Sequence, residues 1–302
     1  MQNILQNLII GLQIGAVYAL IAVGYTMVYG VLRLINFAHG DVYMVGAYVG
    51  LTLSERIGFA AAGTPLGFAG VFLLTMFICA LIGMVIERLA YRPLRTAPRI
   101  TALITAIGIS LLIEAIAQMF WGANPRFFPT LFPNQNLQFL GATISTSYLW
   151  ILLASVILMS ALWYIVVGTK IGKAMRAVAW DREAAALMGV NSNLVIGFTF
   201  GLGSALAGAA GLIVSALTNV RIAPLIGVMP GLKAFVAAVV GGIGSIPGAL
   251  VGGLLMGIAE TFVAAAPDPI SKTRDAIAFV LLILVLIFRP SGIMGRSTVE
   301  KV

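Results

Sequence analysis

Charge is what this chain has least of. Asp, Glu, Lys and Arg together make up 9% of its 302 residues, against about 25% in soluble domains. A water-facing surface cannot be covered by so few ionic groups. Histidine and cysteine occur once each, as His39 and Cys79. One thiol excludes an intrachain disulfide, and Cys79, inside an apolar run, is expected to be a small packing residue. One imidazole with scattered carboxylates excludes a metal site, which needs three or four ligands, and equally a nucleophilic triad. No cofactor is expected either. The only phosphate-loop mimic, GTKIGKA at 168–174, has its glycines one residue too close and Ala174 where magnesium needs a hydroxyl. The chain is therefore expected neither to bind ATP by that motif nor to be an enzyme.

What is present is apolar. Hydrophobic residues account for 61% of the chain, and mean hydropathy is +1.07. No charged residue precedes Arg33. Without a basic leading region or a convincing cleavage site, the first apolar run is expected to be retained as a span, not removed. A hydrocarbon core takes about 20 apolar residues as helix, and apolar runs lie near 8–30, 35–53, 67–87, 101–121, 147–167, 194–217, 229–243, 246–266 and 275–289. Isolated strands in lipid would leave backbone polar groups unpaired, so all should be helical. The expectation is an all-α polytopic transmembrane bundle of eight or nine spans in a single domain, 1–302. The run 229–243 is short, Gly-rich and carries Lys233, so it could be a re-entrant half-helix.

The connectors alternate in charge. One set holds Arg33, Arg88, Arg92, Arg95, Arg99, Lys170, Lys173, Arg176, Arg182, Arg289, Arg296 and Lys301; the other holds only Arg56, Arg126, Arg221, Lys272 and Arg274. The positive-inside rule places the richer set in the cytoplasm, with the N-terminus outside and the C-terminus inside. The net charge of +8 is then a loop charge that sets orientation. It is no nucleic-acid footprint, because the cations fall between apolar runs and not along one amphipathic face. The loop 122–147, with Pro125, Pro129 and Pro133, should be an outer segment of broken structure. The loop 168–193 should hold a short helix near 174–188, outside the bilayer.

Several polar positions stand out inside this apolar background. In NFAHGD (36–41), His39 and Asp41 sit just inside a span. Polar groups there mark either a pathway or a helix-terminus network, and the second reading weighs slightly more. Gly40 is expected to break or kink that helix. Glu114 and Gln118, one turn apart, should face into the bundle, where an interhelical hydrogen bond is favoured over a proton relay. Glu260, near the outer end of its span, is expected to reach the headgroup region. Small residues spaced four apart at Gly244, Gly248 and Gly252, at Gly253 and Gly257, and at Gly197, Gly201 and Ala205 allow backbones to touch.

The loop 168–193 also contains EAAALMG (183–189), or E-A-A-x-x-x-G. Small residues and a closing glycine suit docking to a soluble partner, and an ordinary amphipathic connector fits equally well. This motif resembles the coupling loop of bacterial ABC importer permeases. More specifically, YALIAVGYTMVYG (18–30), INFAHGDVYM (35–44), GLKAF (231–235), GGIGSIPGA (241–249) and PSGIMGR (290–296) resemble the high-affinity branched-chain amino acid permeases, in the H-type of their two membrane subunits. The resemblance covers nearly the whole chain. It departs from the general permease pattern after Gly189, where the trailing Ile-x-Leu-Pro is absent.

The resemblance implies a bacterial inner-membrane permease that imports leucine, isoleucine or valine by alternating access. It also implies a second permease subunit, two ATP-binding subunits that hydrolyse the ATP, and a periplasmic substrate-binding protein. Glu183, Ala184, Ala185 and Gly189 would carry the coupling contact. Tyr25, Thr26, Tyr29, Asn36, His39, Asp41 and Glu114 are the candidate translocation path. An importer of urea or short amides would share much of this sequence, and a cation-coupled secondary transporter is the competing class.

Overall fold

The computed structural model describes residues 2–95, 97–129, 131–132, 135–139, 142–218 and 220–295; the expected cytoplasmic charges Arg296 and Lys301, and Pro133 of the outer loop, lie outside this set. Each of the nine apolar runs becomes a helix. They are α1 (Gln2–Leu32), α2 (His39–Ile57), then a single turn α3 (Phe59–Ala62), α4 (Pro65–Ile86) continued by a π turn over Glu87–Tyr91, and α5 (Arg99–Trp121). Next come strands β1 (Arg126–Phe127), β2 (Asn136–Phe139) and β3 (Ala142–Ser145), and helices α6 (Thr146–Gly168), α7 (Lys170–Trp180), α8 (Arg182–Leu187) and α9 (Ser192–Thr218). The chain finishes with β4 (Arg221–Ile222), α10 (Val228–Gly241), α11 (Ile246–Ala264) and α12 (Ala276–Phe288).

Six of these helices, α1, α4, α5, α6, α9 and α11, are long and apolar enough to cross a membrane. The nine expected spans are thus not all of one kind. Helix α2 is diluted by His39, Asp41, Glu55 and Arg56. Helices α10 and α12 have 14 and 13 residues; at about 1.5 Å per residue they fall short of a core roughly 30 Å thick.

The all-α expectation also needs a local correction. The segment 122–147 is not merely broken: β2 pairs antiparallel with β3, and β1 pairs with β4. Backbone in a connector needs partners of its own, and short ribbons supply them. Gln6 fastens the hairpin to α1: its Nε2 donates to the Thr143 carbonyl and its Oε1 accepts from the Thr143 N–H, both at 2.7 Å.

Burial sorts the helices into two groups. Helices α1, α2 and α9 form the interior, while α4, α5, α6 and α12 turn Leu, Ile, Phe and Trp outward. The small-residue faces are used inside the chain. Gly253 and Gly257 of α11 lie against Ala19 and Gly15 of α1, and Gly201 of α9 lies against Ala80 and Met84 of α4. Close packing is therefore the role of Gly201, Gly253 and Gly257, as expected, whereas Gly244 lies exposed in the turn before α11 with nothing near it. Cys79 is fully buried against Gly208, as its apolar setting implied.

Candidate functional site

The site forms where two helices start inside the bundle. Helix α1 ends at Leu32, and an irregular segment returns to His39, where α2 begins. The break therefore falls over residues 33–38, with Arg33 at φ +55, and not at Gly40 as expected. Gly40 instead permits a close approach. A Cβ there would sit 2.7 Å from the Gly227 carbonyl oxygen and 3.0 Å from the Gly231 Cα, so only glycine lets the start of α10 meet the start of α2.

Beside this contact lies a cavity of about 200 Å³, walled by α1, α2, α5 and α10. Its polar lining is Tyr25, Asp41 and Ser110; its apolar lining includes Phe37, Ile107 and Leu232. Asp41 is 2% exposed. Its Oδ2 accepts from the Ser110 hydroxyl at 2.5 Å, and no basic side chain among the described residues reaches ion-pair distance. A larger groove of about 450 Å³ opens between α4, α6 and α9, but it is lined almost wholly by apolar side chains such as Phe68, Phe72 and Trp150. That chemistry suits hydrocarbon, and it cannot read a polar solute.

The sequence-selected path residues divide between roles. Tyr25, His39 and Asp41 come together: the Tyr25 and His39 rings meet edge to face at 4.7 Å, and Tyr25 and Asp41 share the cavity. Thr26 and His39 are buried, with the Thr26 Oγ1 and the His39 Nε2 lacking partners among the described residues. Asn36 serves structure instead, its Oδ1 accepting from the Tyr91 hydroxyl at 2.9 Å. Tyr29 is half-buried, away from the cavity lining. Glu114 is half-buried and Gln118 exposed, which corrects the expectation that both face inward. Helix α5 packs mainly along α2, so most of its circumference looks outward.

Two further ionic features escaped the sequence reading in part or entirely. Lys233 donates to Glu260 Oε1 at 2.6 Å and to Asp275 Oδ1 at 2.7 Å, and the Tyr18 hydroxyl donates to Glu260 Oε2 at 2.8 Å. Glu260 is thus buried and paired; it does not reach outward as expected. The second is Glu87 of the π turn, which pairs with Arg95; Arg95 also donates to Asn193 at the start of α9. Charged groups inside an apolar run announce that partners exist without naming them.

At the end of the molecule that carries Lys170, Lys173 and Arg182, the single helix expected near 174–188 is two. Helix α7 buries Met175 and Val178. Asp181 then breaks the run and caps α8, its Oδ1 accepting from the N–H groups of Glu183 and Ala184 at 2.9 Å each. Ala185 is buried, while Glu183 and Ala184 are exposed. Trp180, Leu187 and Met188 are 86%, 89% and 85% exposed, and Gly189 turns the chain at φ +82. Three large apolar side chains are thus left exposed within nine residues of one another in sequence.

The fold and this site define a polytopic helical membrane protein with a small, partly polar cavity that opens between α1, α2, α5 and α10. The sequence model of the family described as branched-chain amino acid transport system, permease component, matches residues 7–286, and the chain belongs to that family. It is 43% identical, over 99% of its length and 98% of the relative's, to the high-affinity branched-chain amino acid transport system permease protein BraD of Pseudomonas aeruginosa. It is 42% identical to LivH of Escherichia coli, named for the same transport system, over 99% of this chain and 97% of that one. A probable branched-chain amino acid permease of Methanocaldococcus jannaschii is 28% identical over 91% of the chain and 88% of that relative. The chain is thus a membrane permease component of a transport system, not an enzyme.

Proposed function

We propose that this chain is one membrane subunit of an ATP-driven importer that moves leucine, isoleucine or valine into the cytoplasm by alternating access across a bacterial inner membrane. The observation that carries the reading is identity of 42–43% along essentially the whole chain to permeases named for branched-chain amino acid transport. In this reading a second permease subunit completes the pathway, two ATP-binding subunits supply the energy, and a periplasmic binding protein delivers the solute. The N-terminus lies outside and the C-terminus inside, as the loop charges favour.

The loop 168–193 is the coupling element. Its exposed Trp180, Leu187 and Met188, beside Glu183, Ala184 and Gly189, offer the apolar and polar contacts an ATPase cleft would take, and Ala185 packs the loop onto the bundle. Tyr25, His39 and Asp41 lie along the solute's route, with Thr26 buried next to them. Asn36 holds the segment before α2 through Tyr91.

The test is reconstitution of the permease with its partner subunits in liposomes. Leucine, isoleucine and valine delivered by the binding protein should raise ATP hydrolysis and be taken up, while urea and short amides should do neither. Uptake that collapses on adding an ionophore, with ATP still supplied, would replace this reading with cation-coupled transport.

A further inference from the structure

Three carboxylates among the described residues are buried inside the bundle at 8% exposure or less: Asp41, Glu87 and Glu260. Glu87 is paired with Arg95 and Glu260 with Lys233. Asp41 has only the Ser110 hydroxyl. It is also the one of the three that borders the cavity. A buried carboxylate without a counter-charge is costly, and a carboxylate offers about four lone-pair sites, of which Ser110 fills one. A partner that is cationic, carries several N–H donors and fits in the cavity would balance it.

We infer that Asp41, assisted by Ser110, is the subsite that receives the α-ammonium group of the amino acid during passage; the inference rests on the importer reading above. An ammonium brings three donors. One can meet the free carboxylate oxygen of Asp41 and another the Ser110 oxygen, whose own hydrogen is already given to Asp41. The rest of the cavity fits the remainder of such a solute. Phe37, Ile107 and Leu232 supply an apolar surface for a branched side chain, and the Tyr25 hydroxyl stands beside Gly231. The volume, about 200 Å³, lies below the roughly 300–1,000 Å³ of drug-sized sites and suits one small solute.

A metal ion does not meet the description, since no group of three potential ligands occurs among the described residues. Neutral amides do not meet it either, for they carry no charge to balance Asp41. The subsite therefore selects for an amine against an amide within the permease itself, after the binding protein has released its cargo.

The experiment uses the complete transporter in liposomes. Asp41→Asn keeps the shape and the Ser110 contact while removing the charge. It should cut leucine uptake about tenfold or more, the scale of a lost charged hydrogen bond, while the ATP hydrolysis stimulated by loaded binding protein stays within about twofold of wild type. Asp41→Glu should restore part of the uptake. Undiminished uptake by D41N overturns the inference and leaves the importer reading standing, whereas a wild-type transporter that moves no branched-chain amino acid sinks the reading itself.

A second measurement covers the case in which D41N fails to assemble. Ile107→Cys places a thiol on the cavity wall with Asp41 and Ser110 intact, and the native Cys79 is buried away from reagent. Leucine and 3-methylbutylamine, which carry the ammonium, should slow maleimide labelling of I107C, and 4-methylpentanoate, which lacks it, should not. Equal protection by the amine and the acid, or protection by neither, refutes the assignment.

Discussion

Lys233 offers the sharpest test of how the bundle is held together. It is 5% exposed and its ammonium touches both Glu260, 8% exposed, and Asp275. The side chain of Asp275 is 53% exposed, so its contact counts as a surface pair, worth about 0.2–1 kcal/mol. The Lys233–Glu260 pair is different. Replacing Lys233 with Met leaves Glu260 buried with the Tyr18 hydroxyl as its remaining partner, and breaking a buried pair costs about 3–5 kcal/mol. At about 2–4 °C per kcal/mol for a chain of this order of size, Lys233→Met should lower the unfolding temperature by at least about 6 °C. Asp275→Asn should lower it by no more than about 4 °C on the same scale. The assay is loss of soluble, monodisperse protein on heating in detergent. Adding Glu260→Gln to K233M removes the orphaned charge while keeping an acceptor for Tyr18, so the double variant should regain more than half of the loss. A K233M protein that melts within about 2 °C of wild type, or a double variant no better than the single one, would show that the network contributes little and that this reasoning is wrong.

Other perturbations follow from single contacts. At Gly189 a Cβ would touch nothing within 4 Å, so the only cost of a side chain is the left-handed backbone, roughly 1–2 kcal/mol. Gly189→Val should uncouple ATP hydrolysis from uptake while Gly189→Asn, tolerant of that conformation, stays near wild type; the measure is solute moved per ATP. Trp180→Ala with Leu187→Asp should abolish co-purification of the ATP-binding subunits without changing the melting temperature, since both side chains are almost wholly exposed. Tyr91→Phe strips the buried Asn36 of its donor and should destabilise the chain by about 1–3 kcal/mol, read as a lower melting temperature. Gly257→Leu forces a side chain into Gly15, where even a Cβ would sit 2.2 Å from backbone nitrogen, and should prevent recovery of folded protein.

How much of this was legible in the sequence depended on the distance over which each feature is decided. Hydropathy is a local property, and it placed α9 and α11 to within about two residues of their observed ends. The break at Asp181 was missed because the flanking stretch has strong helix-forming composition throughout, and capping by one carboxylate outweighed it. The inward face of α5 was misjudged for a different reason. Glu114 and Gln118 do share one face, but periodicity only says which residues lie together, and a helix apolar nearly all round does not say which side meets the bundle. Gly40 was read as a hinge when it is a contact point; a glycine serves both purposes and sequence does not distinguish them. Asp41 and Tyr25 stood out as polar groups in an apolar setting, yet Ser110 did not, because a helical hydroxyl can satisfy itself on its own backbone. The Lys233 partners lie 27 and 42 positions away, a pairing that only the packed structure brings together.

The placement of charge also bears on which side of the cavity is firm. Helix α10 forms one wall with Gly231 and Leu232, and the next residue, Lys233, anchors it to α11 and to the residue preceding α12. Helix α1, which contributes Tyr25, joins the same network through Tyr18. Rupture of the α10 anchor would strand a buried charge, and α1 adds a neutral hydrogen bond to the same carboxylate. The α5 wall is fastened differently: the Trp121 indole donates to Thr52 and stacks on Tyr48 at one end, and Ser110 reaches Asp41 in the middle. None of those α5 contacts is an ion pair, and most of the helix surface is exposed. Its single polar tie to the cavity is the hydrogen bond that an entering ammonium would share. In the proposed subsite the ammonium would add to the Ser110–Asp41 contact that ties α5 to α2, while the paired Lys233 and Glu260 hold α10 to α11.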